Sequence, residues 1–204
     1  MPRAISSLVA VLLFAFHAAA SAAVFSFLTD PFAGSDALTT PGRQIVGNED
    51  FITFDVAADQ FVFNPAAFGI SQLSFFNGLV EDLPASGVNV VVLQTQPIPF
   101  AAGLAANLIA AEITAPGPGF FIYFNSALDL PRLVYSTDLS DEQADLRVLA
   151  RLTNLSGQPG RDALPTFTAD NFALLVDEPP PALLLLAAIL AVTSARWAAR
   201  RRRA

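Results

Sequence analysis

Apolar residues fall along this chain in short blocks divided by turn residues, and the blocks predict strands. Phe51-Ile52-Thr53-Phe54-Asp55-Val56 alternates only in part, whereas Gln60-Phe61-Val62-Phe63-Asn64 is aromatic and β-branched, a composition that fits a pleated, half-buried surface. Ala57-Ala58-Asp59 between them reads as a hairpin connection, and Pro65 closes the second strand. Gln72 to Phe76 and Val88 to Leu93 are further strands, the latter apolar enough for burial on both faces. Phe120-Phe121-Ile122-Tyr123-Phe124-Asn125 is the strongest strand, and Arg132 to Ser136 follows it. Leu146, Val148, Ala150 and Leu152 alternate as a strand would, with Arg147 and Arg151 opposite, so Asp145 to Thr153 reads as a strand, although Ser140 and Gln143 have the spacing of a helical capping box. Phe167 to Val176 closes the series.

One segment carries a helical period. Phe100 to Ile113 is alanine-rich with Leu104, Leu108 and Ile109 at helical spacing, and Ala115-Pro116-Gly117-Pro118-Gly119 stops it. Thr29 to Gly42 is polar and turn-rich and reads as a loop. The predicted architecture is one all-β, β-sandwich-like domain with one short helix, with a mixed α+β fold as the alternative.

The two ends follow other rules. Arg3 precedes an apolar run to Phe16, and Ala20-Ser21-Ala22 then fits an A-x-A cleavage pattern. This order of charge, apolar run and small residues predicts a signal peptide over residues 1–22, cut by a signal peptidase between Ala22 and Ala23. At the other end, Asp177-Glu178-Pro179-Pro180-Pro181 precedes an apolar stretch from Ala182 to about Ala195, and Arg200, Arg201, Arg202 and Arg203 follow. The stretch is about 14 residues, roughly 21 Å as a helix, against a hydrocarbon core of about 30 Å. Extended to Ala199 with Arg196 snorkelling, it spans a thinner membrane. The arginines then stay cytoplasmic, and the domain lies outside.

This ending resembles the PEP-CTERM sorting signal, the substrate segment of exosortases in bacteria that make extracellular polysaccharide. The order is the same: a Pro/Glu motif, a short apolar helix, a terminal arginine cluster. Glu178 and Pro179 match the motif's second and third positions, and Asp177 stands where the family has its first proline. The resemblance covers residues 177–204 only. It implies processing by an exosortase-like enzyme and delivery to the envelope or an exopolysaccharide matrix.

Composition changes once the ends are set aside. All 18 acidic residues lie between Asp30 and Glu178, but only Arg43, Arg132, Arg147, Arg151 and Arg161 of the basic ones do. Eighteen negative charges against five positive give the domain a net −13. Nucleic acid and anionic headgroups are therefore disfavoured as its partners. The chain has no Cys and no Lys, and its single His, His17, lies in the leader. Ser/His/Asp, Cys/His and Schiff-base catalysis are excluded for residues 23–178, as are zinc sites built on His or Cys. Sixteen of the 18 phenylalanines fall in this span, so the domain must be held by packing.

Two sets of carboxylates remain. Asp138, Asp141, Glu142 and Asp145 form the densest acidic run, and calcium takes six to eight such oxygens. The spacing departs from an EF-hand loop, and a solvated turn is the plainer reading. Glu49-Asp50 and Glu81-Asp82 are carboxylate pairs of the kind that hydrolyse glycosides when suitably spaced, but exposed turn residues are again plainer. The expected function is a non-catalytic exported surface or matrix protein. The alternatives are a carboxylate-only enzyme on polysaccharide and a calcium-dependent adhesion module.

Overall fold

Alternating side chains of a strand point to opposite faces, and here both faces of the central strands are apolar. The computed structural model describes residues 22–98 and 101–176. The strands are β1 (Val24–Phe27), β2 (Ile45–Val46), β3 (Asp50–Ile52), β4 (Gln60–Phe63), β5 (Phe75–Gly78), β6 (Val90–Ile98), β7 (Gly119–Asn125), β8 (Leu130–Ser136), β9 (Leu146–Leu152) and β10 (Phe172–Leu174). The helices are α1 (Pro65–Phe68), α2 (Ala102–Glu112) and α3 (Gly157–Ala163), with three single 3-10 turns. The fold is thus mostly strands, with few and short helices.

The strands form two sheets. The small one has the order β1-β4-β10, with both ladders parallel. The large one has the order β2-β9-β8-β7-β6-β5, and β3 also pairs with β9. Within it β5, β6 and β7 run parallel, and β8 runs antiparallel to β7 and β9. Odd and even positions of the large sheet feed two different cores. Val90, Val92, Phe120, Ile122, Phe124, Leu133 and Tyr135 pack with Phe61, Phe63 and Phe172 of the small sheet. Val91, Leu93, Phe121, Tyr123, Val134 and Val148 pack with Ala102, Ala105, Ala106 and Ile109 of α2. A bulge in β9 opposite Leu133 and Val134 leaves Leu149 and Ala150 in the first core.

Phenylalanines join the sheets. The rings of Phe63 and Phe120 stack at 3.8 Å, those of Phe54 and Phe61 at 4.2 Å, and Phe68 meets Phe63 edge-on at 5.6 Å. Stacked and edge-on pairs add to the burial of area itself. Gly119 opens β7 where backbones crowd: a Cβ there would meet Leu139 and would sit 2.6 Å from the Asn89 carbonyl.

Two expectations need correction, and Pro65 gains a second role. Residues 51–64 are not a hairpin, because β3 belongs to the large sheet and β4 to the small one. The turn at Asp55 carries the chain from one layer to the other. Pro65 ends β4 but also begins α1, which Asn64 caps through its side chain. In α2 the buried face is Ala102, Gly103, Ala105, Ala106 and Ile109, while Leu104 and Leu108 turn outward. Small residues let the helix backbone approach the sheet closely. Among the described residues no helix is long and apolar enough to cross a membrane. The expected helix from Ala182 lies outside them.

Phe61 is fully buried and touches Phe25, Phe27, Phe54 and Phe172. Phe61→Ala is expected to lower unfolding free energy by about 3–5 kcal/mol, whereas Leu104→Ala on the outer face of α2 changes it by about 0.5 kcal/mol or less. Guanidinium unfolding of the two variants checks both values.

Candidate functional site

Four neighbouring strands line up one row of side chains on the α2-facing side of the large sheet. Phe51 of β3 pairs with Arg151 of β9, Arg151 with Arg132 of β8, and Arg132 with Tyr123 of β7. The row runs from solvent to interior: Phe51 is 69% exposed, the side chains of Arg151 and Arg132 are 26% and 8% exposed, and Tyr123 is fully buried. Two like charges directly opposite one another across a ladder repel. Glu49, just before β3, resolves this. Its Oε1 accepts from Arg151 Nε at 2.6 Å and from Arg132 Nη2 at 2.9 Å, and its side chain is only 7% exposed. Arg132 Nη1 also donates to the Tyr123 hydroxyl at 3.3 Å, and the Arg151 guanidinium lies 5.0 Å over the Phe51 ring.

Burial alone would push the Glu49 carboxyl up. Its own backbone N–H, the Arg151 hydrogen bond and the charges of both arginines outweigh burial and hold it below the usual glutamate range. An acid held ionised in this way is a poor proton donor near neutrality, the opposite of the raised carboxyl a glycosidase acid needs. Glu49 is therefore a buried ion-pair residue and not the exposed turn acid expected from the sequence. Its partners lie 83 and 102 positions away. Glu81 and Asp82, by contrast, sit in an exposed 3-10 turn.

The acidic run at 138–145 is spread among separate duties. Asp138 Oδ1 accepts from the backbone N–H of Gly117 and Ser140, at 3.1 and 2.8 Å. Asp141 Oδ1 accepts from Gln143 N–H, while Glu142 is exposed. Asp145 is buried, and its two oxygens accept from the N–H groups of Leu38 and Gln44 at 2.7 and 2.6 Å. Arg43 ties this loop to α2. Its Nε donates to the Ala144 carbonyl, and its Nη1 donates to the Gly103 carbonyl and Asn107 Oδ1. Among the described residues no group of three or more His, Cys, Asp or Glu is placed to hold a metal ion.

No protein-family model matches the chain, and no curated protein or solved structure matches it either.

Shallow grooves open at the surface. One, of about 510 Å³, lies where β6 and β7 begin and is lined by Ser71, Ser74, Asn89, Pro116 and Pro118 among others, with no ionisable side chain. A second, of about 440 Å³, brings Asp30, Asp50 and Arg147 together. Beside it, Tyr135 donates to the Phe68 carbonyl at 2.9 Å, and burial, with Asp30 nearby, pushes its phenol up to about 12. It is a neutral donor and not a base. Of the residues expected at the processing sites, Ala22 is exposed and Ala23 half-buried. Ala20, Asp177, Glu178, Pro179 and Arg200 to Arg203 lie outside the described residues.

The ion cluster makes stability depend on acid. Glu49 has a depressed pKa when folded, so its contribution is present above the unfolded value of about 4.3 and is lost as pH falls through the folded value. Glu49→Gln, which leaves two arginines facing each other, is expected to cost about 3 kcal/mol at pH 7. It should also flatten the loss of stability below pH of about 4.5. Urea unfolding at pH 7 and at pH 3–5 measures both.

Proposed function

We propose that this chain is an exported, non-catalytic protein of the cell envelope or extracellular matrix, processed at both ends. A signal peptidase cuts after Ala22, the short helix from Ala182 holds the chain in the membrane, and an exosortase-like enzyme cuts near Glu178 to Pro181. The observation that carries this reading is the order of segments: a charged, apolar, small-residue leader; an acidic domain; then acid and prolines, leucines and four closing arginines. Charged residues cost about 2.5–3.5 kcal/mol each at a helix centre, so the arginine cluster stops transfer.

The domain's chemistry supports a binding or structural role. Its buried carboxylates at Glu49 and Asp145 serve arginines and backbone N–H groups. A sandwich-like description of the domain belongs to the same proposal and draws support from the core shared by the two sheets. Exopolysaccharide is the proposed surrounding. The acidic surface favours solubility there and disfavours nucleic acid.

Replacing Arg200 to Arg203 with Ser is expected to reduce membrane retention and C-terminal cleavage together, because the segment then slips through. Intact mass of the protein recovered from producing cells should lack the tail. A mature chain that still carries Arg203 would make the segment an ordinary anchor and defeat the sorting proposal.

A further inference from the structure

Asp59 is a buried carboxylate, 6% exposed, and none of the ion pairs among the described residues involves it. Its Oδ2 accepts from the Asp55 N–H at 2.8 Å, and its Oδ1 accepts from the Ala23 N–H at 2.7 Å. Ala23 is the residue immediately after the A-x-A motif. We propose that Asp59 is the receptor for the α-ammonium group that cleavage after Ala22 creates, so that removal of the leader completes an ion pair in the folded domain. The inference rests on the proposed processing at Ala22–Ala23.

The geometry needs no rearrangement. The Ala23 nitrogen already lies within ion-pair distance of Oδ1, and the Ala23 carbonyl accepts from the Gln60 N–H at 3.0 Å, which fixes the residue from its other side. β1 then continues along β4 in parallel register from Val24 opposite Gln60. Ala22 is exposed, so the bond to be cut lies at the surface. In the cut, water adds across the Ala22–Ala23 peptide bond. The new carboxylate leaves on Ala22 with the leader, and the amine stays on Ala23 and takes up a proton. A neutral amide donor becomes a charged one in place.

The electrostatics favour the product. Burying a charge costs heavily unless it is paired, and here the carboxylate is already buried before cleavage. Hydrogen bonds from a charged donor are roughly twice as strong as neutral ones. The ammonium itself sits on a half-buried residue and keeps contact with water, so its own desolvation is small. The other ionisable side chains on the elements packed around Asp59 are Asp55 in its own turn and Asp170 in the turn at 169–171, and both are acids. β1, β4 and β10 carry none. The new cation would stand among negative charges only.

The test compares two chains that keep the C-terminal segment, in detergent, one beginning at Ala23 and one beginning at Ser21, each with Asp59 and with Asp59→Asn. An ammonium stabilised by folding has a raised pKa. Its contribution is complete below the ordinary α-amino value of about 7.7–8.0 and is lost as pH rises through the folded value. At pH 6.5 the Ala23 form is expected to melt about 2–4 °C above the Ser21 form, with the gap closing by pH of about 10 and absent in Asp59→Asn. Equal melting at pH 6.5, or a gap that survives Asp59→Asn, overturns the proposal. If Asp59→Asn does not fold, titration of the Ala23 α-amine by nitrogen NMR decides: a value above the ordinary range supports the pair, and one within or below it overturns the proposal. N-terminal sequencing of protein from producing cells separates the two layers. A terminus other than Ala23 removes the processing and the inference together, whereas terminus Ala23 with equal melting overturns the role of Asp59 alone.

Discussion

A strand with no solvent face must be covered twice, and β7 is such a strand: all seven of its residues are buried. Everything around it answers that demand. Phe120, Ile122 and Phe124 call for a layer on one side, and the small sheet supplies it. Phe121 and Tyr123 call for a layer on the other, which α2 supplies. The helix is also the connection between β6 and β7. Parallel neighbours cannot be joined by a tight turn and need a crossover. One segment thus satisfies the topology and the burial together, as parallel sheets covered on both faces generally require.

Without disulfides the layers are held by shape. The rings between the sheets lie in stacked, tilted and edge-on pairs rather than one repeated geometry. Aromatic side chains combine large buried area with few rotatable bonds, so they fix a layer spacing at small entropic cost. The other side is built differently. α2 presents alanines and a glycine, and the sheet supplies the bulk. Arg43 then stitches the helix to the acidic loop. Burial draws the Arg43 guanidinium below its ordinary value although Asp141, Glu142 and Asp145 oppose this.

What was legible in the sequence follows from where the information lies. β7 and β9 were readable because their patterns are local and long, and α2 because proline and glycine bound it. β1 and β2 were not recognised; they are short edge strands whose identity comes from β4 and β9. The pattern at 51–64 showed two strands and a turn, but it carries no signal of which sheet each strand joins. Parallel pairing was hidden for the same reason: alternation tells faces and not directions. Glu49 and Asp145 were read as surface acids because burial of a charge depends on partners supplied from afar. For Asp145 the partners are the Leu38 and Gln44 N–H groups, 107 and 101 positions away. An acid beside a turn looks the same in sequence whether it is solvated or capped.

The acidic composition and the loop architecture are one arrangement. Asp30, Asp55, Asp59, Asp138, Asp141 and Asp145 each accept from backbone N–H groups in turns, which satisfies donors that no ladder reaches. The small sheet sets where the chain enters and leaves. β1 and β10 flank β4 and run parallel to it, so the domain begins at one end of that sheet and leaves from the opposite end, a rise of roughly 3.3 Å per residue along four-residue strands. The described chain therefore enters and leaves that sheet at opposite ends. Both flanking strands attach to the same central strand, β4, whose Phe61 and Phe63 anchor the core. β1 and β10 thus tie the first and last described strands of the domain to one central strand, so both termini of the domain depend on the same core residues.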